Sequence, residues 1–523
     1  MHLTRHDLAQ LDEAYLAGLP EGSLRTLSVT LLLDLKELFE RLEQNPSNSS
    51  RPPSSRAPWE GVSAGEERQE TPGQSGETSA AGDTQETAPP AAEEAPEPPP
   101  PKAEEPRRPG QRPGAPGHGR TQCLEVHAQQ HHHPEVCAVC GAPIGEQQPE
   151  RPVSAHYVID LVVPEPGRCR LEAIQVKHHY HARQCACGHW SCAEPATAAE
   201  EADWRVALSE RHLVGPRLVA LICALSLRLR LSRRRVQEFL AEWLGLSLSA
   251  ATINQCLHEA GRALTPVLEE QLLAEVRASA LLHADETSWK EHGQLTWLWV
   301  FISATTTVFL IGARSKAFLH SALGAVLQGW LMSDGYWAYR DYANRLRCLT
   351  HLLRKARGLE ESLDGPAQRF GRALRGHIEG VMAAVYAARE GPPPPIPLRQ
   401  QHAAALNALF ALCLQHADAR HAKTAALARE LLNDWDTFWV VLDHPELPLT
   451  NNAAERALRH WVIARRLSYG TRNAQGSRAF TALASVIETC RQRGLSPWDY
   501  ITEALRERRR GNPAPALPAA AAA

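Results

Sequence analysis

No apolar run in this chain approaches the roughly 18 residues that a membrane span requires, and its opening residues, MHLTRHDLAQ, lack the apolar centre of a secretion signal. These absences argue against a membrane or secreted protein, so a cytoplasmic one is expected. Lysine is scarce: seven of the 56 basic residues are Lys, which leaves 49 Arg, the side chain that grips phosphate through a planar two-pronged donor. No internal repeat is visible. The twelve cysteines do not form a regularly spaced disulfide framework, because seven fall between Cys123 and Cys192 and the others lie singly among apolar residues, as at Cys223 and Cys413. That distribution suits a reducing compartment and one metal site. At 523 residues the chain is long enough for about three or four units. The net charge of −3 hides a division: residues 60 to 105 carry twelve acids against Arg68 and Lys102, so the rest is mildly basic at +7, as suits a polyanion-binding protein.

Composition shifts divide the chain. Residues 1–46 contain Leu24, Leu27, Leu31, Leu35, Leu38 and Leu42 at heptad-like intervals, either an ordinary amphipathic helix or a dimerising coil. Residues 47–122 are rich in Pro, Ser, Gly and Glu and too poor in apolar side chains to offset their ordering entropy; a disordered linker is expected. Residues 123–198 hold the Cys/His cluster between short β-like stretches, which reads as a small ribbon. Residues 199–270 turn helical, with RRRVQEFLAEWL, a Leu-Gly turn and a second helix capped by Ser249 at helix-turn-helix spacing. Arg233, Arg234, Arg235 and Asn254 are its candidate DNA contacts. Residues 271–490 read as an α/β catalytic domain with a helical insertion at 340–445, and residues 491–523 as a final helix and tail.

Within the α/β region, LLHADETSW reads as a strand, LTWLWVFISATTTVFLIGA as a two-stranded meander, SALGAVLQGW as a helix and LMSDGYWAY as a short strand ending in an acid and a glycine. Three strands, a helix, another strand and a late acidic helix follow the order of a ribonuclease-H-like sheet. That order would put Asp285 and Asp334 at neighbouring strand ends and Glu455 one turn into a helix. Cleaving a phosphodiester without a covalent intermediate calls for two divalent ions about 4 Å apart, and three carboxylates hold such a pair while leaving positions open for substrate oxygens; hard oxygen ligands suit Mg²⁺ or Mn²⁺. Taken singly, each acid also fits a cap, a turn or a helix-end charge.

In the ribbon, Cys137 and Cys140 form a C-x-x-C knuckle and Cys185 and Cys187 a C-x-C pair, together four thiolates for tetrahedral structural Zn²⁺. The shorter second spacing leaves His189 and Cys192 as alternative ligands. Cys123 and Cys169 read as bystanders. His131 to His133 read either as an adventitious metal site or as a polar loop.

Several segments closely resemble the insertion sequence 66 family of transposases: NPSNSSRPPSS (45 to 55), the paired cysteines, GPRL (215 to 218), HADETSW (283 to 289), SDGYWAY (333 to 339), CLTHLLRK (348 to 355), and NNAAERALR (451 to 459) followed by SYGTRNAQGSRAF. The resemblance spans nearly the whole chain. It implies an Asp, Asp, Glu active site on Asp285, Asp334 and Glu455, a ribbon that helps recognise the element's DNA ends, and small accessory proteins from the same element. A homo-oligomer acting on inverted repeats and target DNA is expected. Cleavage would proceed by water attack, and the freed 3′-hydroxyl would then attack target DNA.

Neighbouring residues have competing readings. Asn451 and Asn452 either contact DNA, hold the glutamate helix in register or cap it. Arg456, Arg459, Arg465 and Arg466 either meet phosphate or form a solvated face. His351, Arg354 and Lys355 follow the second aspartate and either line the DNA path or serve the fold. Trp289, Trp337 and Tyr339 are expected to pack in the core rather than stack on bases. Rival functions are a structure-specific nuclease of the same fold and an inert zinc-dependent DNA-binding regulator.

Overall fold

The computed structural model describes residues 18–42, 125–162, 171–193 and 213–519, together with residues 11, 15, 16 and 44. The whole of the expected linker 47–122, Cys123, Cys169 and the first part of the region 199–270 lie outside the described residues. Among the described residues no helix is long and apolar enough to cross a membrane.

Helix α1 (Glu21–Leu42) carries the heptad-like leucines. Leu24, Leu35, Leu38 and Leu42 are exposed, while Leu27 and Leu31 are half-buried. Its buried residue is instead Glu40, which accepts from Lys423 Nζ at 2.9 Å and from the Ser362 hydroxyl, with His421 at 3.3 Å.

The cysteine region folds as strands β1 (Ala128–His132), β2 (Glu150–Leu161), β3 (Ala173–Gln184) and β4 (Trp190–Cys192). β3 pairs with all the others, in parallel with β1 and antiparallel to β2 and β4. The end of β2 meets helix α2 (Pro216–Cys223): Gly215 N donates to Ile159 O at 2.7 Å, and Asp160 Oδ1 accepts from Leu218 N at 2.8 Å, capping the helix. Gly215 is required there, because a Cβ would lie 2.2 Å from Asp160 Cγ. Helices α3 (Arg233–Leu244) and α4 (Ala250–Pro266) follow. The hydroxyls of Ser232 and Ser249 accept from Arg235 N and Thr252 N as N-caps, and Gly245 closes α3 in the left-handed conformation (φ 64°).

Strands β5 (Leu281–Glu291), β6 (Gln294–Ile302), β7 (Thr307–Gly312), β8 (Trp330–Ser333) and β9 (Arg345–Arg347) form one sheet in the order β7-β6-β5-β8-β9. The first three are antiparallel, and β8 and β9 run parallel to β5. β6 reads LTWLWVFI because both faces are covered. Leu298, Val300 and Ile302 pack against Ala454, Leu458 and Trp461 of the helix Asn452–Ser468 and against Ala484 of the helix Ala474–Gln492. From the opposite face Trp299 meets Phe318, Tyr336 and Tyr339. The connecting helix α5 (Lys316–Leu323) starts at the Ser315 cap and ends at Gly324 (φ 87°), so it takes in only the first three residues of the SALGAVLQGW stretch expected to be helical and begins before it.

Strand β9 falls inside the 340–445 stretch read as a helical insertion. The helices begin at α6 (Leu349–Glu360) and continue with α7 (Gly365–Glu390), α8 (Ala403–His416) and α9 (Ala422–Asn433). They bury Leu352, Phe370, Leu374, Leu409 and Leu431 in a core that reaches Met332 and Leu346 of the sheet. Helices α10 (Asn452–Ser468) and α11 (Ala474–Gln492) return to the sheet, and α12 (Pro497–Arg509) closes the fold, with Arg509 paired to buried Glu259 at 2.7 Å.

Candidate active site

The parallel pairing of β5 with β8 sets Leu281 beside Trp330 and His283 beside Met332. Continuing that register past the end of β8 brings Asp285 level with Asp334. The third acid, Glu455, lies in the first turn of α10, a helix that packs on β5 and β6. Asn451 fixes where that helix starts. It is fully buried and makes no side-chain capping bond; its Oδ1 lies 3.0 Å from His283 Nδ1, its Nδ2 donates to Ala284 O at 2.8 Å, and its N–H donates to Cys348 Sγ at 3.2 Å. Its side-chain bonds therefore run to β5 and not to the first turn of α10. Asn452 is exposed.

The acids interact through space. Burial raises the Asp285 carboxyl well above its ordinary range, and the nearby charges of Asp334, Glu286 and Glu455 push it further. Asp285 Oδ1 accepts from Glu286 N at 2.8 Å, and Asp334 Oδ1 accepts from Tyr336 N at 2.9 Å, so one oxygen of each aspartate is oriented by backbone. Glu455 Oε1 is sealed from water and makes no hydrogen bond; its polar neighbours are His351 Nε2 and Arg354 Nη1, each at 3.5 Å. Burial lowers the His351 imidazole, which favours its neutral form. The oxygens of the three acids are not gathered within 4.8 Å of one another as one compact ligand group.

Sequence reasoning missed Glu286. This carboxylate is 1% exposed, accepts from Tyr339 Oη at 2.7 Å, and pairs with Arg314 at 2.8 Å. Burial and the Asp334 charge push it up to about 7. Its position beside Asp285 in HADETSW was the only signal, since strand alternation points it to the face opposite Asp285, where only the fold supplies Tyr339 and Arg314.

The candidate DNA residues divide by their partners. Arg465 bonds to Thr287 Oγ1 at 3.1 Å and Ser288 Oγ at 2.9 Å, and also to the Ser288 carbonyl, so it fastens α10 to β5 rather than standing free for phosphate. Lys355 is held by Glu430 at 2.7 Å, within a network in which Arg347 bridges Glu430 and fully buried Asp434. Arg235 pairs with Glu238 at 2.9 Å. Arg233, Arg234, Arg456, Arg459 and Arg466 are exposed, and Asn254 is half-buried. Trp289 and Tyr339 are in the core as expected, whereas Trp337 is 52% exposed beneath Lys316.

In the ribbon, the Sγ atoms of Cys137, Cys140, Cys185 and Cys187 lie within 4.8 Å of one another. Cys137 Sγ is 3.7 Å from Cys187 Sγ, and Cys140 Sγ is 3.6 Å from Cys185 Sγ. The C-x-C pair thus contributes both of its cysteines, and His189 and Cys192 stay outside the group. Two tight turns bring the sulfurs in: Gly141 N donates to Cys137 O, and Gly188 N to Cys185 O, both glycines having positive φ. Backbone N–H groups of Cys140 and Val139 lower the Cys137 thiol to about 6, favouring the thiolate that binds metal.

The family model described as "Transposase IS66 family" matches residues 211–479, just over half of the chain and the whole of the sheet with its three acids. Two uncharacterized proteins of Sinorhizobium fredii are similar: y4jO, 37% identical over 70 residues (13% of this chain, 22% of that protein), and y4qI, 25% identical over 309 residues (52% of this chain, 55% of that protein). The chain thus spans about half the length of one of these relatives and under a quarter of the other.

Proposed function

Because the chain belongs to the IS66 family of transposases, we propose that it binds the terminal inverted repeats of an insertion sequence and catalyses metal-dependent cleavage and strand transfer at Asp285, Asp334 and Glu455. What supports this reading is that two parallel strands and a late helix anchored by Asn451 bring three distant acids close enough for the charges of Asp334 and Glu455 to bear on Asp285. The strand order β7-β6-β5-β8-β9, antiparallel then parallel, supports a ribonuclease-H-like sheet.

The carboxylates fit a pair of hard divalent cations. Burial with mutual repulsion is unfavourable for acids alone, and the unbonded Glu455 oxygen has a lone pair available. When bound, Mg²⁺ or Mn²⁺ would activate the attacking oxygen and stabilise the leaving one. The protein's own part is orientation. Backbone N–H groups of Glu286 and Tyr336 fix the aspartates, Asn451 fixes the start of the glutamate helix, and Arg354 beside Glu455 presents positive charge toward the phosphodiester path. No serine or tyrosine nucleophile is assigned. The four cysteines fit structural Zn²⁺, which would hold a ribbon that reads the element's ends together with α3 and α4. The exposed leucines of α1 suit a second copy of the chain.

The test is an end-cleavage and 3′-end joining assay on labelled inverted-repeat DNA with Mg²⁺. Asp285→Ala and Asp334→Ala are each expected to reduce both steps by on the order of 10³-fold or more while end binding persists. Full strand transfer by either variant would overturn the site. Cleavage without joining by the wild type would make it a nuclease, and intact DNA a regulator.

A further inference from the structure

The ribbon carries a second group of metal-binding side chains. β1 lies parallel beside β3 with His131 opposite His179, and β2 runs antiparallel with Glu150 opposite Arg183 and Pro152 opposite His181. Because side chains alternate along a strand, this register puts His131, His179, His181, Glu150 and Arg183 on one face, with His133 just past the end of β1. His132, His156 and His178 fall on the other, stacked around Tyr180.

On the first face, the two oxygens of one carboxylate meet two imidazoles: Glu150 Oε1 is 2.8 Å from His181 Nδ1, and Oε2 is 3.0 Å from His133 Nδ1. One ligand atom from each of the three lies within 4.8 Å of the others. His133 Nδ1 is sealed from solvent yet makes no hydrogen bond, so its approach to the carboxylate lacks hydrogen-bond direction. The far nitrogen of His181 lies 2.9 Å from His131 Nδ1, the outer contact that fixes the ring of a metal-binding histidine. Arg183 Nε donates to Glu150 Oε2 at 2.8 Å and steadies the carboxylate from the side.

We propose that His133, Glu150 and His181 form a second transition-metal site, taking Zn²⁺ and distinct from the four-cysteine knuckle. Two imidazoles and a carboxylate are borderline donors that select Zn²⁺, Ni²⁺ or Cu²⁺ over Mg²⁺. His133 stands four residues before Cys137, and His181 four residues before Cys185. The two sites would therefore clasp the same two chain segments, and the second would also tie in β2 through Glu150.

The experiment titrates full-length protein, stripped by chelator and carrying Asp285→Ala and Asp334→Ala to silence the carboxylate site. Co²⁺ binding is followed by visible absorption and zinc content by elemental analysis. Two equivalents per chain are expected: one with the sulfur-to-cobalt charge-transfer band of the cysteines, one without it. Adding Glu150→Gln, or His133→Ala with His181→Ala, should remove the second equivalent and leave the charge-transfer band unchanged, which also reports that the ribbon is folded. A single equivalent in the parent, the same content in parent and variants, or a second equivalent seen only at millimolar metal would overturn the proposal.

Discussion

The cysteine knuckle and the three carboxylates are both candidate metal sites, but they are built in opposite ways. Each cysteine pair comes from one tight turn, so the four sulfurs collapse within 4.8 Å of one another and form a closed set. The acids come from positions 285, 334 and 455, on one strand, just past the end of a second and on a helix, and they are positioned by backbone pairing and by Asn451 rather than by contact with each other. A site assembled from local turns can depend on its ion for its shape. A site borne by a sheet exists before the ion arrives and can keep positions open for substrate.

The sharpest break of this comparison is metal removal. Structural zinc contributes on the order of 10 kcal/mol of folding energy to small modules. Stripping zinc, or the change Cys137→Ser, should make residues 125–193 protease-sensitive while the α/β core keeps its melting temperature. Equal protease resistance with and without zinc would show that the knuckle, like the carboxylate site, is held by the fold.

The buried acids of β5 should answer to pH. Glu286 is raised from 4.5 to about 7 in the folded chain. Its ionisation is therefore disfavoured only when folded, so stability should fall as pH rises from about 4.5 to about 7, with Asp285 adding in the same direction. At about 1.36 kcal/mol per pH unit the Glu286 part is on the order of 3 kcal/mol. Melting curves over that window should show the decline, and Glu286→Gln should flatten it. Mg²⁺ should offset the Asp285 part; a decline unchanged by either would mean that neither acid is responsible.

Asn451→Ala should cost about 2 kcal/mol by removing its bonds to His283 and Ala284. Cleavage should fall further than stability or DNA affinity, because the start of the glutamate helix loses its anchor. Equal losses in all three would make Asn451 merely structural.

The smallest effect separates two arginines of one helix. Arg456→Ala should weaken DNA binding by roughly 1 kcal/mol and reduce the salt dependence by about one phosphate contact, leaving the melting temperature unchanged. Arg465→Ala should do the reverse, because its guanidinium is occupied by Thr287 and Ser288. Binding isotherms at several salt concentrations, with melting curves, read both.

Much of this was legible in the chain itself. The apolar runs of β5 and β6, the capping serines at 232 and 249, the four cysteines and the words HADETSW, SDGYWAY and NNAAER are local signals, and local chemistry decides turns, caps and strand propensity. What sequence could not carry was partnership. Arg465 and Arg466 are adjacent in one arginine-rich helix, yet one fastens a strand and the other is exposed; Asn451 looks like a cap and acts as a tether; Glu286 looks like a neighbour of the first aspartate and is a buried carboxylate held by Tyr339 and by the exposed Arg314. Such roles arise from strand register and helix placement, which bring together residues from 28 to 178 positions apart. Spacing along the chain holds no record of those distances, so only the tertiary structure could assign them.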